Sequence, residues 1–380
     1  MDKLYYTKHH VDKTDYSAIE EALNSGWLTQ GPSVAQFEKE FSEYVGVPYA
    51  LTVNNGTSAL QLAVAGLGLK EGQKVLVTSM SFVASANCIL YQGGEVEFVD
   101  IDSKDFNISI ASLENKLRGS DPNTYSGIIV VDFAGLPCRL EEISKLAKSY
   151  GLWVVEDASH APGSVYVDKS NERYITGSAY HADVVTFSFH PAKHIACGEG
   201  GMVTTRNKDI FDRMSSLRTH GIIKDTENPN KPWMQDMVSL GYNFRMPDIL
   251  ASLGSSQLKK LDASVKRRNE IAEIYNREFS SVSNVETPFF PESSTHAFHL
   301  YVLKAEKRDE LFLHLKEKGI NCQIHYVPIY RMSFYKELGH SSKEFPACEE
   351  YFSKCISLPM YPTLTKDDVA RVVEAIKSFY

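Results

Sequence analysis

The sequence predicts an α/β protein: a large domain on a mixed, mostly parallel sheet with helices on both faces, then a smaller C-terminal α+β domain. Three observations lead there. The first two-thirds of the chain alternates short, continuous apolar runs with segments of helical period, as strands buried on both faces require. At 380 residues the chain exceeds what one core usually serves. Residues 247–279 then carry one long helical pattern, able to link two domains. The expected boundaries are 1–246 for the large domain and 247–380 for the smaller one with its linking helix.

In order, residues 17–26 read as an amphipathic helix ended by Gly26, and 34–46 as a second ended by Gly46. Residues 49–69 read as a strand, a turn and a helix on which Leu60, Ala63, Val64 and Leu67 recur at helical spacing. A strand over 74–79, a helix over 82–94 and a strand over 96–102 follow. Further strands are expected at 127–135, 152–159, 183–190 and 201–206, with a helix at 140–151. Residues 222–236 contain Pro229 and Pro232 and little periodicity, which reads as a mobile surface loop. The C-terminal part reads as a strand at 296–305, a helix at 308–319, a strand at 320–328 and a last helix within 366–379.

Bulk properties exclude several classes. The composition, 43% hydrophobic and 23% charged, is that of a globular chain. No apolar run is long enough to span a bilayer and the polar N-terminus lacks a signal-peptide stretch, so a cytoplasmic protein is expected. A formal net charge of −8 argues against nucleic-acid binding. Six cysteines (Cys88, Cys138, Cys197, Cys322, Cys348 and Cys355) are scattered without a CxxC pair, which reads as reduced, mostly buried thiols.

Ligands of open α/β sheets bind beyond the carboxyl ends of the strands, and four features fall there. Residues 55–58, Asn-Gly-Thr-Ser, join a strand to a helix. Their amides, the hydroxyls of Thr57 and Ser58 and the positive helix end suit a phosphate, although the same turn also makes an ordinary N-cap. Asp157 ends a strand, where a carboxylate can hydrogen-bond a protonated pyridine nitrogen, or merely cap a helix. His160 can touch the same ring or sit as a partly buried polar residue. Ser188 and Lys193 leave the next strand just before a small-residue turn. A lysine with a pKa lowered by burial can form a Schiff base with a carbonyl cofactor, although most lysines are merely solvated. His190 and His194 stand four apart, but Pro191 lies between them and no carboxylate completes a metal triad, so no metal is expected. Finally, residues 241–245 put Asn243 and Arg245 in an aromatic turn that can bind an anion or only stabilise itself.

Taken together these segments resemble the DegT family of nucleotide-sugar aminotransferases, which have the aspartate-aminotransferase (type I) fold of pyridoxal-phosphate enzymes. The likeness runs nearly end to end, through residues 23–41, 53–63, 81–87, 155–164, 187–205, 218–222, 241–258 and 323–331, and is most specific around Lys193. It implies pyridoxal 5'-phosphate held covalently by Lys193, with Asp157 on the pyridine nitrogen and His160 at the ring oxygen. Phe82 would stack on the ring, and Thr57, Ser58 and Ser188 would bind the phosphate. Asn243 would reach the phosphate held by a neighbouring subunit, implying a homodimer with composite sites. Retention of Lys193 favours transamination over the dehydration performed by members with histidine there. His160 resembles members that aminate the 4-keto carbon of UDP- or dTDP-sugars.

Residues 23–31, 187–193 and 319–330 are similar to the branch serving pseudaminic acid synthesis, whose substrate is a UDP-linked 4-keto-6-deoxy N-acetyl hexosamine. There His325, Tyr326 and Tyr330 would line the nucleotide-sugar site, and glutamate would be the amino donor. Two alternatives stand beside this reading. One is another nucleotide keto-sugar, such as the UDP-pentose of lipid A modification. The other is a non-catalytic regulatory protein of the same fold, which would have no need to keep both Lys193 and Asp157.

Overall fold

The computed structural model describes residues 3–224, 231, 233–289 and 294–380. Seven strands form the central sheet: β1 (Tyr49–Val53), β2 (Lys74–Thr78), β3 (Glu95–Val99), β4 (Tyr125–Val131), β5 (Trp153–Asp157), β6 (Val184–Ser188) and β7 (Gly201–Thr205). Their order is β1-β7-β6-β5-β4-β2-β3. Every neighbouring pair is parallel except those made by β7, which runs antiparallel to β1 and β6.

The continuous apolar runs arise because both faces are covered. Along each strand side chains alternate between faces. Val75, Val77, Ile129, Val155, Val184 and Val203 enter one core. Leu76, Ile128, Val130 and Val154 enter a second behind the sheet, and Val185, Phe187 and Met202 a third. Helices α1 (Lys13–Asn24) and α2 (Pro32–Val45) precede the sheet; α3 (Gly56–Gly66) and α4 (Ala84–Tyr91) close the first core, 110–118 and 140–149 the second, and α2 the third. That last helix ends, as expected, at Gly46 with φ +70. All six cysteines are free and buried.

A separate three-stranded antiparallel sheet, β8 (Val285–Glu286), β9 (Tyr301–Ala305) and β10 (Cys355–Leu358), lies in the C-terminal part. Tyr275, Phe279, Leu311, Leu315, Val372 and Ile376 share its core. Leu4 joins the same core, because Leu4–Tyr5 pairs in parallel with Ile320–Asn321. The 1–246 boundary does not anticipate this strap.

Four expected elements differ. The single helix over 247–279 is two, Asp248–Leu258 and Leu261–Phe279. At the break, the Lys260 ammonium turns to Asp15 at 2.6 Å and Asp12 at 2.8 Å. The strand over 296–305 begins only at Tyr301, because Phe298 takes a left-handed φ of 47°. The strand over 320–328 shrinks to Ile320–Asn321 and one bridge, Gln323 to Ser357. The loop over 222–236 is pinned at its ends, where Ile222–Lys224 pairs antiparallel with Gln235–Met237. Residues 225–230 and 232, Pro229 and Pro232 included, lie outside the described residues.

Candidate active site

A cleft of about 720 Å³ opens at the carboxyl ends of β4, β5 and β6. Its wall holds nine of the eleven residues singled out in the sequence: Thr57, Ser58, Phe82, Asp157, His160, Ser188, Lys193, His325 and Tyr326.

Lys193 is carried by a loop anchored at both ends. Before it, Phe189 is fully buried and packs on Phe37 and Phe41, with ring centroids 5.3 and 5.8 Å away. After it, Ile195 and Cys197 are fully buried, and the Cys197 amide donates to Phe189 O at 2.9 Å. The chain thus leaves the core only for residues 190–193, and the Lys193 amide closes the turn on His190 O at 2.8 Å. Burial pushes the Lys193 ammonium down to about 8, with the Asp157 carboxylate pulling the other way.

Asp157 is the last residue of β5, opposite Val131 on β4 and Thr186 on β6. Ser85 Oγ donates to one carboxylate oxygen at 2.7 Å and the Ser159 amide to the other at 3.2 Å, so its orientation is fixed from two sides. Behind it Asp132 and Glu156 are buried together, and burial raises both carboxyls above their usual range.

At the other end of the cleft α3 points its first turn inward. Asn55 caps it by accepting from the Ser58 amide at 2.8 Å. The Gly56 and Thr57 amides have no carbonyl to donate to within the helix. Gly56 is needed for close approach: a Cβ there would lie 2.7 Å from Ser188 Cβ. This contact brings the hydroxyl of Ser188 alongside the helix end.

Between these ends sit neutral imidazoles. His160 Nε2 hydrogen-bonds the Tyr326 hydroxyl at 3.1 Å, and burial holds its ring far below the usual histidine range. His325 hydrogen-bonds Ser357 Oγ at 2.8 Å through Nδ1, and burial pushes it down to about 3. Phe82, 57% exposed, stands just before α4 rather than inside the expected helix over 82–94.

Two expected residues lie elsewhere. Tyr330 is fully buried, donates to Glu349 at 2.8 Å and stacks on Phe345, so it is core and not cleft wall. Asn243 is exposed, bridged to Thr219, and does not line the cleft of its own chain. Three lining or supporting residues escaped the sequence reading: Ser85 behind Asp157, His299 beside Lys193, and Tyr6 on the N-terminal strap. Ser81, just before α4, and Ser85, in its first turn, stand four apart and 2.8 Å from each other, a usable signal. His299 and Tyr6 had none.

The donor set fits a phosphorylated pyridine aldehyde. A lysine with a lowered pKa, an oriented carboxylate, an open helix end for phosphate and an exposed aromatic ring converge on one space. His160 Nδ1 is buried with no partner among the described residues. These features define the class of pyridoxal-phosphate enzymes. Comparison with known proteins gives the same class. The DegT/DnrJ/EryC1/StrS aminotransferase family matches residues 9–377, and the chain belongs to it. The protein is therefore a sugar aminotransferase with pyridoxal phosphate as its cofactor, on the type I fold.

Among its relatives is the UDP-4-amino-4,6-dideoxy-N-acetyl-beta-L-altrosamine transaminase of Campylobacter jejuni, 37% identical over 387 residues, covering 99% of each chain. Among solved structures, Helicobacter pylori PseC, an aminotransferase involved in the biosynthesis of pseudoaminic acid, superposes with a TM-score of 0.89 at 30% identity, covering 99% of both chains. The PLP-form of Spr1654 from Streptococcus pneumoniae, a sugar aminotransferase by its description, gives 0.89 at 26% identity over 99% of this chain and 98% of that one. Among the described residues no helix is long and apolar enough to cross a membrane, and no group of three or more His, Cys, Asp or Glu side chains could hold a metal.

Proposed function

We propose that the protein moves an amino group from glutamate to the 4-keto carbon of a UDP-linked 4-keto-6-deoxy N-acetyl hexosamine. The observation that carries this reading is the make-up of the cleft. The turn at residues 55–58, Lys193 and Asp157 line it together with the side chains of Tyr6, His325 and Tyr326. The sugar is supported by 37% identity, end to end, to the Campylobacter jejuni transaminase. Glutamate as donor rests on the family likeness.

In this reading Thr57, Ser58, Ser188 and the end of α3 hold the cofactor's phosphate. Asp157 would hold its ring nitrogen, His160 its ring oxygen and Phe82 one face of the ring, and Lys193 would secure its reactive carbon. Bound there, pyridoxal phosphate supplies a carbon that accepts amines and a ring that takes up electron density. With its pKa near 8, Lys193 is in part a free amine at neutral pH. It can therefore take the donor's α-proton and later deliver one to the sugar carbon. The face from which Lys193 delivers that proton sets the stereochemistry of the new amine. His325 and Tyr326 would contact the nucleotide sugar. The active assembly is a homodimer in which Asn243 of each chain completes the other's phosphate site. The chain divides at 246/247 and works in the cytoplasm.

The test is the visible spectrum of the purified protein. Glutamate should bleach the cofactor band, and the UDP-4-keto-6-deoxy N-acetyl sugar should restore it. Bleaching without recovery discards the sugar and keeps the transaminase. Recovery with the UDP-pentose alone replaces one sugar by the other. A band untouched by glutamate discards the donor.

A further inference from the structure

We infer that His299 is the seat of the Lys193 amine whenever that amine is not bonded to the cofactor: a positioning residue whose Nε2 accepts a hydrogen bond from Nζ. The inference rests on Lys193 being the cofactor lysine and adds the residue that governs it between bonds. Lys193 Nζ and His299 Nε2 are 3.4 Å apart. A lysine that leaves a carbon atom and must return to it carries a flexible four-carbon stem. Without a fixed partner its nitrogen would sample much of the cleft, and effective concentration at the reacting carbon would fall.

The chain takes unusual steps to present this imidazole. Just before it, Phe298 occupies the left-handed region at φ 47°, which a bulky residue rarely adopts. Hydrogen bonds hold that turn, among them the Phe298 amide to His296 Nδ1 at 2.9 Å, the Ala297 amide to Gly135 O at 2.8 Å, Asn269 to His296 O at 2.9 Å, and Arg268 to Phe298 O at 3.0 Å. Arg268 also donates to Met360 O at 2.8 Å, so a buried guanidinium ties the turn to the segment that follows β10. Gly135 lets the segment press on its backbone, for a Cβ there would lie 2.9 Å from Phe298 N and 3.1 Å from His299 N.

His299 itself is 3% exposed, and its Nδ1 has no partner among the described residues. Among the described residues the ring's one hydrogen bond is therefore the one to Lys193. Burial first, then the charges of Lys193, His160, His194 and Arg268, hold the ring neutral. A neutral ring with its proton on Nδ1 offers the Nε2 lone pair, and an ammonium or an amine can donate to it. The titratable groups facing the pair are Asp157 at the end of β5, His160 beyond it, His194 on the lysine's own loop, His325 on the segment after Ile320–Asn321, and Arg268 on the helix Leu261–Phe279. Of these only Asp157 favours a charged lysine.

The experiment uses the full chain stripped of cofactor. Lys193 is acetylated with acetic anhydride across a pH series and quantified by mass spectrometry against exposed Lys169. His299→Asn ends at the Nδ1 position and loses the acceptor; His299→Gln reaches the Nε2 position and keeps one. The expected midpoint for Lys193 falls by about one pH unit in the Asn variant, a roughly tenfold loss of proton affinity. It stays at the wild-type value in the Gln variant. Equal midpoints in all three proteins, or an equal displacement in both variants, overturn the proposal. His299→Leu replaces the Asn variant should that chain not fold, since the orphaned Nδ1 leaves little hydrogen bonding to lose. Loss of the visible cofactor band in Lys193→Ala is scored separately. A band that survives there removes the assignment of the lysine, whereas an unmoved midpoint removes only His299.

Discussion

Lys193 is placed where burial and a neighbouring carboxylate pull its proton affinity in opposite directions, and burial wins. The stability of the cofactor-free chain follows. Between the folded value of about 8 and the unfolded value of 10.5, the unfolded chain binds more protons at this position, so stability rises with pH across that window. Below it the cost of a buried ammonium is paid in full. Denaturant midpoints of wild type and Lys193→Met, compared from pH 8 to 10.5, should converge as pH rises. Parallel curves would mean the lysine is not desolvated. Asp157 gives a second expectation. Asp157→Asn keeps the Ser85 contact and loses the charge that suits a protonated pyridine. The variant should retain the visible band while turnover drops by about 10²-fold or more, and near-normal turnover would remove Asp157 from the chemistry. These two residues were legible in the sequence because Asp157 closes one apolar run and Lys193 lies in the turn that follows another, the strand Val184–Ser188. Ser85 and His299 reach the same site from 72 and 106 residues away, distances that no local pattern encodes.

At the scale of elements, the site depends on how closely α3 approaches the end of β6. Nothing larger than hydrogen fits on Gly56 without moving Ser188, since the added Cβ would meet Ser188 Cβ at 2.7 Å and its Cα at 3.2 Å. Overpacking of this kind costs about 1–3 kcal/mol. Here the displaced groups are the proposed phosphate donors, so the cost should appear mainly in cofactor affinity. Gly56→Ala is expected to weaken pyridoxal-phosphate binding by about tenfold or more, measured by fluorescence quenching, with a smaller change in the thermal midpoint. An unchanged affinity would place the phosphate elsewhere. Periodicity located α3, its turn and the strands on either side. It failed where a tertiary contact overrides local preference. The helix expected over 247–279 breaks because Asp12 and Asp15 capture Lys260. The strand expected over 296–305 starts late because residues 296–300 are drawn onto Ala134 and Gly135. Tyr330 looked like a pocket residue beside His325 and Tyr326, yet the short helical turn Ile329–Arg331 folds it inward onto Phe98 and Phe345.

At the scale of the whole molecule, the proposed homodimer accounts for a residue that the single chain leaves idle. Asn243 sits on a segment tied to the rim of the cleft: the Asn54 amide donates to Phe244 O at 2.9 Å, and Gln92 donates to the Tyr242 hydroxyl at 2.6 Å. Tyr242 and Phe244, its chain neighbours, stack on each other at 4.5 Å, and Asn243 between them is exposed. A polar side chain held rigidly outward, next to an anion site it does not enter, suits a second copy of the chain better than solvent. If the site is composite, Asn243→Ala and Lys193→Ala damage different halves of it. Each homodimer would be poor, the first through weak phosphate binding and the second through loss of the base. A mixed dimer would carry both lesions in one site and neither in the other. Equal mixing with random exchange makes half of the dimers mixed, each with one intact site, so activity should recover to roughly a quarter of wild type. Exchange is followed independently with differently tagged chains. Activity that stays at the sum of the parents, once exchange is complete, would confine the site to one chain and leave Asn243 a surface residue.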